Sequence, residues 1–190
     1  MNKIIKESKK VIHQNKLIRP ELVISALILA LIGITGQTSI GNAATEDMIN
    51  TSTIAHAPID KVWSIVSDID SEPQYWTSIK DVKNIKVDNN TNVTERDVTL
   101  AFANAIAHQI VTVNPKDSIV VNQTQGPITG IRTMTLSTPS NNSSETKIDV
   151  SWNMDFSNIP IIGKGFAKDN IFKETEKALK NIATAAEGSS

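Results

Sequence analysis

The chain of 190 residues contains no cysteine, so neither a disulfide nor a thiolate metal ligand can hold it together, and any exported domain it forms stands on its hydrophobic core. Aromatic residues are scarce at 4%, which makes each of the three tryptophans a marked position. No glycine-rich phosphate loop precedes a helix and no nucleophile elbow occurs. Histidine, aspartate and glutamate nowhere fall at metal-ligand spacing, so the sequence calls for no nucleotide, metal or other cofactor. A long apolar run is also missing. Apart from Ser25, residues 22–34 are apolar, but these 13 residues make a helix of only about 20 Å against a hydrocarbon core of about 30 Å. The run crosses a bilayer only if it continues through residues 35–40.

Ahead of that run stand Lys3, Lys6, Lys9, Lys10, Lys16 and Arg19 against Glu7 and Glu21. Residues 1–21 are therefore expected to be a basic cytoplasmic leader, and residues 22–40 a signal-peptide core or a transmembrane anchor. In the stretch 41–50, a cleavage region and tether, Gly41-Asn42-Ala43 offers small residues to a signal peptidase. Both readings export the remainder of the chain, either secreted or anchored to the membrane with the C-terminal domain outside. That part carries 13 basic and 18 acidic residues, a net charge of −5. Without a cluster of Lys and Arg it is a poor partner for nucleic acid, and that class is excluded. Six Asn-x-Ser/Thr triplets, beginning at Asn50, Asn89, Asn92, Asn122, Asn141 and Asn142, fit either a glycosylated outer surface or a merely polar composition. Nothing in the sequence determines an oligomeric state.

After a β-prone stretch at 51–56, Pro58 suits a helix start, and Ile59, Val62, Trp63, Val66 and Ile69 recur at helical spacing. Ser71-Glu72-Pro73 restarts a short helical turn carrying Tyr75, Trp76 and Ile79. Period-two patterns come next at 82–87, 93–102, 105–113, 118–124, 131–137 and 147–156, separated by Asn-, Pro- and Gly-rich turns. In the last of them Ile148, Val150, Trp152, Met154 and Phe156 share one face, the pattern of a sheet covered on one side and wet on the other. The segment 165–187, with Phe166, Ile171, Thr175, Ala178, Leu179 and Ile182 on one stripe, is the candidate cover. The expected class is α+β, a curved seven-stranded antiparallel sheet wrapped around a long C-terminal helix, with two short helices after the first strand.

Ala57-Pro58 with Val62-Trp63, then Asp68, Pro73 and Trp76, and finally the 160–163 approach to a helix ending in Ala178-Leu179-Lys180-Asn181-Ile182, resemble the START-related (SRPBCC) helix-grip superfamily. Polyketide cyclases/dehydrases, lipid-transport and coenzyme Q-binding proteins are among its members. The resemblance covers residues 51–187 and implies a ligand chamber between helix and sheet. It carries over no catalytic residue, because no catalytic motif spans the superfamily.

The chamber residues expected from these patterns are Trp76, Phe102, His108, Arg132, Met134, Trp152, Met154, Phe156 and Phe166. Most have a plain alternative as core. Trp76 sits where an indole N–H can meet ligand or water, and Arg132, if it points inward, would neutralise a carboxylate or phosphate. His108 is the one histidine in the sheet and so the one candidate acid or base, although a structural or surface role is the commoner fate of such a residue. Glu95 and Asp97 share a strand face about 7 Å apart and read as solvated. The expected function is extracytoplasmic binding, with or without transport, of a hydrophobic small molecule or lipid. The alternatives are a polyketide cyclase/dehydrase-like enzyme using His108 or Arg132, and an envelope domain that contacts other proteins. Membrane partnership would run through residues 22–40.

Overall fold

A computed structural model describes residues 48–102, 104–140 and 142–188. The leader, the 22–40 segment and the cleavage site lie outside the described residues. The elements run β1 (Met48–Ala55), α1 (Ile59–Val66), a 3-10 helix (Ile69–Gln74), β2 (Ile79–Asp88), β3 (Val93–Leu100), β4 (Ile106–Asn114), β5 (Ser118–Gln125), β6 (Thr129–Ser137), β7 (Thr146–Asp155) and α2 (Ile161–Gly188). The seven strands form one sheet in the order β1-β7-β6-β5-β4-β3-β2, antiparallel throughout. This is the helix-grip α+β architecture expected from the sequence. Chain connectivity explains the order: β2 to β7 meander through hairpins, and β1 closes the sheet by pairing with the last strand.

Strand alternation decides which face is covered. In β7, Ile148, Val150 and Met154 are buried while Lys147, Asn153 and Asp155 are exposed; in β3, Thr94, Arg96, Val98 and Leu100 are buried in strict alternation. Against the covered face lies the rear half of α2, which buries Thr175, Ala178, Leu179, Ile182, Ala183 and Ala186. Polar clips hold that half in place: Asn181 Nδ2 donates to the Tyr75 carbonyl at 3.0 Å, and Glu187 accepts the His56 N–H at 2.8 Å. The front half is held differently. Ala167 and Ile171 pack on a smaller cluster of Ile49, Met154 and Phe156, while Ile161, Ile162 and Phe166 face solvent.

Several boundaries differ from the sequence reading: α1 ends at Val66, so Ile69 opens the 3-10 helix instead of closing α1, and β2 begins at Ile79, which the pattern placed on the short helical turn. β1 begins at Met48 because residues 48–50 pair with 151–153 of β7, where composition alone suggested a tether. β3 stops at Leu100, so Phe102 lies in the following turn. α2 begins at Ile161, four residues ahead of the expected start at Gly165, and takes in Gly163, which the sequence pattern reads as loop. Among the described residues no helix is long and apolar enough to cross a membrane.

Gly130 at the start of β6 has φ +143°, and a Cβ there would sit 2.3 Å from the Asn153 carbonyl oxygen. Only glycine permits that approach of β6 to β7, and the approach sets the register from which Arg132 faces Trp152.

Candidate functional site

The inner face of the sheet is not uniformly apolar. Arg96 of β3 and Arg132 of β6 are both buried, and both reach Glu72 of the 3-10 helix, one guanidinium on each carboxylate oxygen. Alternation explains how two arginines come to be inside: Arg96 is in phase with Val98 and Leu100, and Arg132 with Met134 and Leu136. Cross-strand register then spreads the cluster sideways, since Arg96 faces Gln109 and Gln109 faces Gln123. Arg96 donates to Gln109 Oε1 from Nε at 3.1 Å and from Nη2 at 3.0 Å, and to the Ile69 carbonyl from Nη1 at 2.8 Å; Gln109 donates on to Gln123 Oε1 at 2.9 Å.

Beyond its bond to Glu72, Arg132 is flanked by two rings. Its Cζ lies 4.2 Å from the centroid of the Trp76 ring and 5.5 Å from that of Trp152, and the two indoles meet edge to face at 5.9 Å. Trp152 is fixed in turn by α2, its Nε1–H donating to Thr175 Oγ1 at 3.0 Å. Arg132 Nε is buried and has no hydrogen-bond partner.

Two buried cations share one buried anion, so these three groups carry a surplus positive charge. Burial alone would raise the Glu72 pKa, but the attraction and hydrogen bonds of Arg132 and Arg96 outweigh it and hold the carboxyl below its ordinary 4.5. Burial, reinforced by the nearby Arg96 charge, lowers the Arg132 pKa against the pull of Glu72. Glu72 therefore stays ionised with both oxygens engaged, which makes it a poor proton donor and a hindered base.

The space beside this cluster is small. Trp76, Arg132, Met134, Ile119, Ile182 and the edge of α1 enclose a cavity of about 10 Å³, with Asp68 and Glu72 also on its wall. That is room for about one water.

Of the chamber residues expected from the sequence, Trp76, Arg132, Met134 and Trp152 come together here. Met154 and Phe156 face inward but pack in the neighbouring cluster under the front of α2. Phe102, His108 and Phe166 lie elsewhere. Phe102 is exposed in the turn after β3 because the strand ends two residues short of it, and Phe166 is 72% exposed because the inward stripe of α2 runs through Ala167 and Ile171, one position on. His108 is on the outer face of β4, since its neighbours Ala107 and Gln109 take the inner one. There its Nδ1 meets Asp97 at 2.9 Å and its Nε2 meets Glu95 at 3.2 Å, a surface cluster across two strands. Among the described residues no three His, Asp or Glu side chains converge as a metal site.

The sequence reading missed Arg96, Glu72 and the two glutamines. The signal for Arg96 was present, because an arginine in phase with Val98 and Leu100 must find a buried anion. Glu72 gave no such signal. It stands in a Ser-Glu-Pro turn that resembles any exposed helix start.

A long C-terminal helix gripped by a seven-stranded antiparallel sheet, with short helices after the first strand, is the START-like ligand-binding fold. The chain belongs to the polyketide cyclase/dehydrase and lipid transport family, whose pattern it matches over residues 48–187. Solved structures agree on the fold. TTHA0849 from Thermus thermophilus is similar with a TM-score of 0.63 at 11% identity, covering 75% of this chain and 99% of that one. The Zhui aromatase/cyclase from Streptomyces sp. R1128 gives 0.62 at 12%, covering 74% and 93%. A START superfamily protein from Mycobacterium smegmatis gives 0.55 at 17%, covering 74% and 94%. No curated protein matches the chain by sequence.

Proposed function

We propose that this domain acts outside the cytoplasm as a binding protein for an amphipathic small molecule, an apolar body ending in an anionic group, with that group received by Arg132 beneath Trp76 and Trp152. The observation that carries this reading is the buried Arg96–Glu72–Arg132 cluster with its surplus charge and its unpartnered Arg132 Nε. Burying an ion costs several kcal/mol, and a well-packed apolar core of the same volume is generally no less stable. A carboxylate or phosphate arriving at Arg132 would satisfy Nε and neutralise the extra cation through a charge-assisted hydrogen bond. The tryptophans and Met134 supply the apolar wall.

The cavity of about 10 Å³ is far too small for such a molecule, so entry requires the side chains beside Arg132 and the front half of α2 to give way. Front-half packing is the lighter of the two, resting on Ala167 and Ile171. The small volume is also what favours a second reading, a domain that works through its surface and holds nothing inside. The cyclase-type alternative keeps Arg132 as an electrostatic participant. It loses His108, which faces away from the interior.

Native mass spectrometry on the full chain, purified in a detergent of known mass, separates these readings. A discrete acidic lipid or organic acid retained on the protein supports the binding reading. A bare protein that also fails to retain added long-chain fatty acid supports the surface reading.

A further inference from the structure

We propose that Glu72 is the site's own occupant, an internal anion that holds Arg132 until the acid group of a ligand takes its place, and that this exchange selects ligands ending in two anionic oxygens over alcohols and esters. The exchange presupposes that Arg132 receives the ligand, as proposed above. It adds what fills the receiver beforehand and what can displace the filler.

The two arginines that share Glu72 are held very unequally. Arg96 donates from all three of its nitrogens: Nε and Nη2 reach Gln109 Oε1, Nη1 reaches the Ile69 carbonyl, and Nη2 also reaches Glu72 Oε2. Gln109 is tied in turn to Gln123, whose Nε2 donates to the Ile128 carbonyl. Among the described residues Arg132 donates one such bond, from Nη2 to Glu72 Oε1, and its buried Nε–H donates none. Glu72 is therefore anchored at Arg96 and exchangeable at Arg132.

Guanidinium chemistry says what displaces it. Nε–H and one Nη2–H lie on the same edge of the group and point the same way, a fork that a carboxylate or phosphate grips with two oxygens. Glu72 brings only one oxygen to Arg132, because the other is committed to Arg96, so it holds Nη2 and leaves Nε empty. A ligand carboxylate satisfies both. Glu72 then belongs to Arg96 alone, and two cations that shared one anion end with one anion each. A hydroxyl or an ester carbonyl brings no charge, so in displacing Glu72 it would leave Arg132 buried without a counter-ion.

Self-occupation also sets affinity, since a site competent for only part of the time binds more weakly by that fraction. The exchange has a built-in reporter. The Trp76 N–H donates to the Glu72 carbonyl at 2.8 Å and the Trp76 ring lies 4.2 Å from Arg132 Cζ, so one short turn carries both the anion that leaves and a fluorophore that senses its leaving.

Glu72→Asp tests this on the full chain, because it keeps the charge and shortens the side chain by one methylene. Arg96 also bonds the Ile69 carbonyl of the same 3-10 helix, so the shortened carboxylate is expected to stay with Arg96 and to lose Arg132. Tryptophan fluorescence of wild type and variant is titrated at pH 7 with palmitate and with methyl palmitate. The expected result is palmitate binding about five-fold tighter in Glu72→Asp than in wild type, with ester binding unchanged. Acid-selective wild type with unchanged or weaker palmitate binding in the variant overturns the exchange and leaves Arg132 as the receiver. Failure of both forms to prefer palmitate over its ester overturns the exchange and the binding reading together. If Glu72→Asp does not fold, the side-chain Nε–H signals of the unmutated chain, followed by NMR, decide. Saturating palmitate should move the Arg132 signal and leave that of Arg96 in place; movement of both signals, or of neither, overturns the proposal.

Discussion

Glu72 bears more of the interior than its place in a Ser-Glu-Pro turn suggests, because it alone separates two buried guanidinium groups. Replacing it by glutamine leaves two cations facing each other in a low-dielectric space. We expect Glu72→Gln to lose about 3–5 kcal/mol at pH 7, read by urea denaturation. The pH dependence has a definite sign. Since the folded state holds the carboxyl below its ordinary 4.5, the stabilisation from Glu72 is fully present above about pH 4.5 and disappears as the pH falls through the depressed value. The stability gap between wild type and Glu72→Gln should therefore narrow on acidification; a gap that widens would refute the assignment. At the neighbouring rings, Thr175→Val removes the acceptor of the part-buried Trp152 N–H and should cost about 1–3 kcal/mol with a change in tryptophan emission. His108 provides the contrast. It sits outside with Glu95 and Asp97, so His108→Ala should leave ligand retention unchanged.

Elements were more legible in the sequence than the site they build. Period-two alternation in β3 and β7, helical spacing in α1 and the turn chemistry between strands are local signals, and each element formed in the region they marked, with its ends shifted by a few residues. What escaped was non-local. The pairing of residues 48–50 with 151–153 depends on a partner a hundred residues away, and Phe166 lost its expected inward position to a one-residue shift of the α2 stripe, which amounts to 100° of helix. The cluster of Arg96, Gln109, Gln123 and Arg132 depends on three strand registers at once, none of which composition reveals. The two halves of α2 should differ sharply under mutation. Ile182→Ala, in the rear half and almost wholly buried, is expected to cost about 2–5 kcal/mol, whereas Phe166→Ser should change stability by less than about 0.5 kcal/mol. Chemical denaturation of the two variants checks this, and comparable losses would mean that the front half is gripped as tightly as the rear.

Taken whole, the molecule combines a firmly clipped rear, a lightly packed front and a charged patch under Trp76 and Trp152. That distribution suits an interior entered from the front by a ligand whose acidic end travels to Arg132. The claim reduces to a preference for charge inside an oily site. Its most direct measurement is a tryptophan-fluorescence titration of the full chain with a long-chain fatty acid and, in parallel, with its methyl ester, which keeps the apolar body and removes the anion. Saturable binding of the acid at least ten-fold tighter than of the ester, about 1.4 kcal/mol, is the expected result. Equal affinity for acid and ester, or no saturable response to either, would contradict it.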